Sequence, residues 1–350
     1  MIHNSAIITA ESSKSGRGVF AVRSFKLGIL EHLRFYQYFP ENNDFPAYQV
    51  VKNFSSPSIN ILLSYSTGSV FKKDVEKYAL VNLADPFLFH LSKYTENAVG
   101  TIYDFFLLDE RGGFMSSLRR AWFIKNLNYI SHLKVIITPS DLVKNQAEKA
   151  FPNAHFETVY PWATDDFKMR DKRKAREKLC LPEDKTLLLS VGSNAPQKNV
   201  ELLPQLMNQL DTDFLLLRIG PVDKIIDGLK RREQLVGFDS VSDDLYPLFF
   251  NASDVLLQPS MKEGFGIPIV EAMRSGLPVV ASSVDIFQEI LGDKGVFADP
   301  NDPASWKSVI LNCLANLEDS RANVIDRSRK FTEDEARLNY SRIYNDVIGG

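Results

Sequence analysis

Residues 259–282 read PSMKEGFGIPIVEAMRSGLPVVAS, a pattern typical of a loop, a helix and a buried strand. The apolar run 254–257 predicts a strand before the loop, and 278–281 predicts the strand after the helix. Pro268 suits the first position of the helix, and Gly276 can end it with a positive φ. A strand, loop, helix and strand at this spacing indicate a parallel α/β sheet.

Outward from this stretch, apolar runs alternate with helical patterns in both directions. Strands are predicted at 6–9, 58–63, 79–83, 98–102, 135–138, 186–191, 214–219, 254–257 and 278–281. Helices are predicted at 24–35, 114–130, 199–210, 223–234, 243–251, 268–275 and 332–348. Strands and helices that alternate in this way predict an α/β fold built from doubly wound sheets.

The length of the chain predicts two domains. With 350 residues and 44% hydrophobic content, it is too long for one ordinary core. The charged stretch 171–178, DKRKAREK, is interpreted as a solvated linker or a short helix between the domains. We therefore expect one Rossmann-like domain at 1–170, a second at 171–331, and a final amphipathic helix at about 332–350.

Composition excludes several classes of protein. Lys and Arg number 41 against 44 Asp and Glu, a net charge of −3, which argues against an electrostatically driven nucleic-acid binder. Cys180 and Cys313 are too few for a disulfide framework or a zinc site, and we expect no metal. No apolar run approaches the roughly 20 residues of a membrane span. The N-terminus MIHNSAIITAES does not resemble a signal peptide, so a cytoplasmic protein is expected.

Two glutamates mark a candidate binding site beyond one predicted strand. Glu263 lies in the loop after the strand, and Glu271 is expected in the first turn of the next helix. Ligands of open α/β sheets lie at this edge, where Gly264 and Gly266, on either side of Phe265, let backbone amides approach closely. Carboxylates beside such amides suit sugar hydroxyls. The alternatives are that Glu271 only complements the helix dipole and that Glu263 is solvated.

The pattern E-G-F-G-x-P-x-x-E-A-M-x-x-G-x-P-V-V-A at 263–281 resembles the donor-site signature of retaining GT-B glycosyltransferases, family four (glycosyl transferases group 1). The stretch 190–199, SVGSNAPQKN, resembles the diphosphate loop of that family. Residues 236–260 and 291–303 resemble its next segments, so the resemblance covers about 186–305. It implies two Rossmann-like domains with a cleft between them, the first for the acceptor and the second for the donor.

The resemblance also implies roles for individual residues. Glu271 would bind the ribose hydroxyls of the donor nucleotide, and Glu263 would hold hydroxyls of the donor sugar. Lys198 would neutralise the diphosphate leaving group, where negative charge grows as the glycosidic bond breaks; Glu263 and Lys198 are thus the catalytic candidates. Backbone amides would contact sugar and phosphate at Gly264, Phe265 and Gly266.

The phosphate site departs from the family pattern. Many members carry an arginine directly after the glycine of the diphosphate loop, where this chain has Ser193. Arg218, at the end of the strand 214–219, either compensates for that arginine or is solvent-exposed. A glycine-rich loop of the first domain would also face the phosphates, and a plain turn is the alternative there. Its candidate residues are Gly16, Arg17 and Gly18.

The acceptor side is expected in the first domain. Members of the family often have a T-x-H-D pattern after a strand, and here Tyr103 replaces the histidine of that pattern. Asp104 is interpreted as a binding carboxylate or a helix cap. Asp85, at the end of another predicted strand, is the third candidate. The final helix, as in relatives, would pack back on this domain.

The function that the resemblance implies is retaining, metal-independent hexosyl transfer, without a cofactor, from a UDP- or GDP-sugar. The acceptor would be a glycan or a polyprenyl- or lipid-linked molecule. Residues 114–130 are predicted to form a basic amphipathic helix that would contact the inner face of the membrane. The alternative is that Trp122 belongs to the hydrophobic core. The alternative function is a nucleotide-sugar-binding GT-B protein without transferase activity.

Overall fold

The computed structural model describes residues 2–9, 23–24, 26–35, 75–109 and 114–349. Contacts divide the chain into two compact units, the first formed by Met1–Pro161 with Asp334–Gly350 and the second by Trp162–Glu333. The predicted strand at 58–63 and the Gly16–Gly18 loop lie outside the described residues. In the part of the chain that is described, no helix is long and apolar enough to cross a membrane.

The first unit contains a parallel sheet with the strand order β2-β1-β3-β4-β5-β6. Its strands are β1 Ile2–Thr9, β2 Leu30–Phe35, β3 Leu80–Leu83, β4 Ala98–Thr101, β5 Val135–Thr138 and β6 Phe156–Thr158. Its helices include α1 Phe106–Asp109, α2 Phe114–Leu127 and α3 Asp141–Ala150, and Pro86–Tyr94 forms a 3-10 helix. Short buried strands with helical connections are the doubly wound arrangement that the sequence predicts.

The helix predicted at 24–35 is wrong over most of its length. Residues 23, 24 and 26 are helical, but β2 begins at Leu30 and pairs in parallel with β1. Ile29 and Leu30 are buried in this arrangement. Pairing with a neighbouring strand satisfies the backbone and buries the apolar residues, and it therefore overrides a local helical pattern.

The second unit contains a second parallel sheet, with the order β12-β11-β10-β7-β8-β9. Its strands are β7 Thr186–Val191, β8 Phe214–Ile219, β9 Leu235–Phe238, β10 Val255–Gln258, β11 Val279–Ser282 and β12 Val296–Ala298. Its helices include α4 Lys172–Lys178, α5 Leu202–Met207, α6 Asp223–Ile226, α7 Tyr246–Ala252, α8 Ile267–Arg274, α9 Asp285–Leu291, α10 Pro303–Ala315 and α11 Leu317–Ser328. The strand predictions for β7 and β8 are confirmed at both ends, and those for β10 and β11 are displaced by one residue.

The charged stretch 171–178 is a helix rather than a solvated linker. Asp171 caps α4, since its carboxylate accepts a hydrogen bond from the backbone N–H of Lys174 at 2.8 Å. Arg176 within the helix is buried and donates to Asp254 Oδ2 at 2.8 Å. One face of this charge-rich segment is therefore part of the packed interior of the second unit.

The final helix, α12 Glu333–Gly349, packs on the first unit through its apolar face. Ser24 Oγ donates to the Tyr340 hydroxyl at 3.1 Å, and Asn82 Nδ2 donates to the Tyr344 hydroxyl at 2.7 Å. Burial raises the pKa of both phenols, which therefore remain neutral. The face that the sequence periodicity predicts is the buried one: Ala336, Tyr340, Ile343, Tyr344 and Val347.

Candidate active site

The order of strands in the second unit defines where a ligand site should lie. β7 is the first strand of this sheet in the chain, and it has β8 on one side and β10 on the other. The chain proceeds from β7 to β8 and β9 on one side and from β10 to β11 and β12 on the other, which makes the boundary between β7 and β10 a topological switch point. Ligands of doubly wound sheets bind beyond the carboxyl ends of the strands at such a point.

Two predicted site residues, Lys198 and Glu263, meet beyond the carboxyl ends of β7 and β10. Lys198 Nζ lies 2.5 Å from Glu263 Oε1. The same carboxylate oxygen accepts a hydrogen bond from Ser260 Oγ at 2.9 Å and lies 3.3 Å from Gln258 Nε2. The Glu263 side chain is only 12% exposed, so the interpretation of it as a solvated loop residue is wrong.

The loops that carry these two residues are joined through the backbone. Lys198 ends a 3-10 turn, Pro196–Lys198, and Asn199 follows it in the left-handed region with a φ of 51°. The N–H of Met261, in the loop after β10, donates to the carbonyl of Gln197 at 2.8 Å. The ion pair is therefore formed between two loops whose separation the backbone fixes.

The turn that contains Gly264, Phe265 and Gly266 leads directly into α8. Gly266 has a φ of 109°, and a Cβ atom at this position would lie 3.1 Å from Phe287 Cε1. The positive φ favours glycine, and a Cβ atom would in addition make a tight contact with the phenylalanine ring. The Phe265 ring is buried and packs edge to face on Phe331, with ring centroids 5.8 Å apart. Phe265 thus anchors the turn through its side chain.

Glu271 is the fifth residue of α8, because the helix begins at Ile267 and not at Pro268. Its predicted place in the first turn is therefore wrong, and so is the interpretation of Glu271 as a partner of the helix dipole. The positive φ of Gly276 at the end of the helix is confirmed. The Glu271 side chain is 2% exposed, and its Oε2 accepts a hydrogen bond from the Tyr246 hydroxyl at 3.1 Å.

Arg218 and Ser193 lie at the carboxyl edge of β8 and β7. Arg218 is 1% exposed, so the alternative of a solvent-exposed arginine is wrong. Its guanidinium lies behind the loop that contains Ser193 and donates to the Ser193 carbonyl at 3.2 Å. Ser193 itself is exposed. The loop therefore has a buried cation beneath it.

In the first unit, Asp85 and Tyr103 follow neighbouring strands, β3 and β4. Asp85 is fully buried and caps the 3-10 helix Pro86–Tyr94 by accepting from the N–H of Phe87 at 2.9 Å. Asp104 similarly accepts from the N–H of Phe106, at 3.1 Å. Asp104 thus contacts the backbone at the first residue of α1, a role close to the helix cap that is its alternative interpretation. Gly16, Arg17 and Gly18 lie outside the described residues.

Sequence reasoning missed three side chains that contact the candidate glutamates: Gln258, Ser260 and Tyr246. The first two stand in the Gln-Pro-Ser run at the end of β10, and their closeness to Glu263 in the sequence is a signal that could have found them. Tyr246 lies 25 positions from Glu271, and no local pattern connects the two. Among the described residues, no three His, Cys, Asp or Glu side chains are grouped to hold a metal ion.

Comparison with known proteins relates this chain to glycosyltransferases. Residues 171–331 match the family of glycosyl transferases group 1. The O-antigen chain mannosyltransferase B of Escherichia coli is 29% identical over 65% of this chain and 63% of its own length. The O-antigen chain mannosyltransferase RfbU of Salmonella typhimurium is 29% identical over 37% of this chain and 39% of its own length. The chain thus spans less than two thirds of these relatives.

A solved structure supports the fold over the whole chain. Alr3699/HepE of Anabaena, in complex with UDP and glucose, matches with a TM-score of 0.79 and 16% identity, over 98% of this chain and 100% of that one. Two parallel doubly wound sheets in one chain are the GT-B fold, and this prediction is confirmed. The similarity to the glycosyl transferases group 1 covers residues 171–331, which lie in the second unit.

Proposed function

We propose that the protein transfers a hexosyl group, with retention of anomeric configuration, from a nucleoside-diphosphate sugar to a glycan or lipid-linked acceptor. The observation that supports this most is the Lys198–Glu263 pair at the switch point of the second sheet, beside the Gly264–Gly266 turn. The family of the second unit, the O-antigen mannosyltransferases that resemble the chain, and the UDP and glucose bound by Alr3699/HepE agree with this proposal.

The proposed chemistry uses one cation and two carboxylates. Lys198 neutralises charge on the departing nucleoside diphosphate, Glu263 accepts hydrogen bonds from hydroxyls of the donor sugar, and Glu271 accepts them from the ribose. The bond between the anomeric carbon and the phosphate oxygen breaks on the same face where the acceptor oxygen bonds. The acceptor proton passes to the departing phosphate. Neither Tyr103 nor a metal has a step in this chemistry, because Lys198 supplies the positive charge.

Binding and transfer by Glu263→Ala and Glu271→Ala variants test the proposal. The wild-type protein should be stabilised against heat by UDP- or GDP-sugars, since a ligand that binds only the folded state raises its stability. Each variant should bind the donor about 10- to 100-fold more weakly, the effect of removing a hydrogen bond to a charged group. Glu318→Ala, an exposed glutamate of the same unit, is the matched control.

The outcomes separate the two candidate functions. Unchanged donor binding and unchanged transfer in both variants would contradict the assigned site. Donor binding by the wild type without transfer or donor hydrolysis, across a broad acceptor panel, would support the nucleotide-sugar-binding protein instead. The substitution of Tyr103 for the family's histidine and of Ser193 for its arginine is the observation that favours this second candidate.

We also propose that α2 contacts an anionic membrane surface, near which a lipid-linked acceptor would be held. Arg119, Arg120 and Lys125 are exposed on this helix, and Ile124 is 44% exposed. Trp122 is half-buried and packs against His90 in the first unit, so only part of the apolar face belongs to the core.

Sedimentation with vesicles measures this contact. The wild type should bind vesicles that contain anionic lipid and not neutral vesicles. Because each basic residue near such a surface contributes about 1 kcal/mol, Arg119→Gln with Arg120→Gln should weaken binding about 30-fold. A variant with Arg173→Gln and Lys174→Gln, exposed cations of the second unit, is the control. Equal binding by both double variants would contradict the proposal.

A further inference from the structure

Arg218 is a buried cation whose contacts among the described residues are all with neutral oxygens. Its Nη1 donates to Ser190 Oγ at 2.9 Å, and its Nη2 donates to the carbonyls of Gly192 at 2.6 Å and Ser193 at 3.2 Å. Longer contacts of 3.5 Å reach Asn194 Oδ1 and the Pro221 carbonyl. Burial lowers the pKa of Arg218 to about 10, so it remains charged at neutral pH.

A second buried arginine in the same unit shows what is unusual about Arg218. Arg176 is 4% exposed and also donates to backbone carbonyls, but it has a carboxylate partner in Asp254, 2.8 Å away. Buried charges in proteins are normally paired, because an isolated charge is costly to remove from water. Among the described residues, Arg218 has no carboxylate within ion-pair distance, although it is as deeply buried as Arg176.

The contacts of Arg218 orient the peptides of the loop after β7. In a trans peptide the carbonyl of one residue and the N–H of the next point in opposite directions. Because Arg218 draws the carbonyls of Gly192 and Ser193 toward β8, the N–H groups of Ser193 and Asn194 point away from β8. β7 lies between β8 and β10, so the direction away from β8 is that of β10, the strand that precedes Glu263. Successive backbone amides of this kind bind anions.

Gly220 shows that the close approach of this loop to β8 is built into the fold. Its φ is 128°, and a Cβ atom there would lie 2.0 Å from the carbonyl oxygen of Gly192. Any other residue would displace the carbonyl that Arg218 holds. Gly220 and Arg218 together hold the loop after β7 in place from the side of β8.

We propose that Arg218 is a positioning residue of the donor site, which holds residues 192–194 so that the amides of Ser193 and Asn194 face the diphosphate of the donor. Its uncompensated charge adds positive potential behind the loop, and the bound diphosphate is the anion that balances it. This inference rests on the proposed function, because it takes a nucleoside diphosphate as the leaving group. It also explains how the site functions with Ser193 in place of an arginine.

Calorimetry with UDP, GDP, UMP and GMP tests this role in the 350-residue chain. In Arg218→Met, affinity for the preferred nucleoside diphosphate should fall about tenfold or more, while affinity for the corresponding monophosphate falls less. Binding should also become less dependent on salt, because a charge is lost. Arg218→Lys keeps the charge but not the fork of donors, so it should retain the salt dependence and recover only part of the affinity.

Arg231→Met is the matched control, since Arg231 also donates to neutral oxygens, Gln234 Oε1 and the Leu210 carbonyl, near the amino ends of β8 and β9. It should leave the ratio of diphosphate to monophosphate affinity unchanged. A folded Arg218→Met variant with the wild-type ratio of diphosphate to monophosphate affinity would overturn the inference. If Arg218→Met does not fold, a wild-type ratio in Arg218→Lys would overturn it. A wild-type protein that binds neither UDP nor GDP would instead overturn the proposed function.

Discussion

Replacing Lys198 by methionine should lower kcat for glycosyl transfer by about 10²- to 10³-fold, the effect of removing one group that stabilises developing charge. Methionine keeps most of the length of the lysine side chain and removes its charge. Steady-state kinetics with the donor sugar identified by binding measure this loss. Lys224→Met is the control, because Lys224 forms a similar pair with Glu201, 2.8 Å apart, on the exposed surface of the same unit.

The stability of the Lys198→Met protein should change by less than about 1 kcal/mol, as for other partly exposed ion pairs. Lys198 is 27% exposed, and Glu263 keeps hydrogen bonds from Ser260 and Gln258 after the lysine is lost. A thermal melt separates this small effect from the kinetic loss. A kcat within threefold of the wild-type value would contradict the assignment of Lys198.

A double variant distinguishes a catalytic cation from a structural one. If Lys198 only balanced the charge of Glu263, Lys198→Met combined with Glu263→Gln would restore activity by removing both charges. If the cation acts on the diphosphate, the double variant should remain at least as inactive as Lys198→Met. The coupling between the two substitutions is read from the full cycle of four proteins.

The sequence predicts the parts of this site that depend on order along the chain. The strands β7 and β10 are mostly apolar, so the hydrophobic pattern locates their carboxyl ends and the loop that contains Glu263. Lys198 is singled out only by the resemblance of 190–199 to the diphosphate loop of the family. The hydrophobic pattern also predicts that Glu271 lies in the next helix, which is confirmed, and that it lies in the first turn of that helix, which is wrong. The helix follows Gly266, with its positive φ, and begins at Ile267, one residue before Pro268.

Features that depend on contacts between distant residues could not be predicted. β2 is a strand because β1 lies beside it, and this overrides the local helical pattern of 24–35. The position of Arg218 in the sequence permits either a buried or an exposed side chain. Only the loop that folds over the end of β8 buries it. The same holds for the contact between Tyr246 and Glu271, which joins two helices.

Asp254 is a buried carboxylate that joins three segments of the second unit. Asp254 Oδ2 accepts hydrogen bonds from Arg176 Nη2 at 2.8 Å and from the backbone N–H of Leu187 at 2.8 Å, and Oδ1 pairs with Lys172. The Asp254 side chain is 9% exposed and that of Arg176 is 5% exposed. These contacts join α4 to the starts of β7 and β10.

Replacing Asp254 by alanine should lower the free energy of unfolding of the second unit by about 3–5 kcal/mol, because it leaves Arg176 buried without its carboxylate. Denaturant unfolding measures the change, and Asp213→Ala, which removes an exposed partner of Lys185, is the control. Combining Asp254→Leu with Arg176→Met removes both charges and should recover part of the loss. A loss below about 1 kcal/mol in Asp254→Ala would contradict the view that this pair is desolvated and structural.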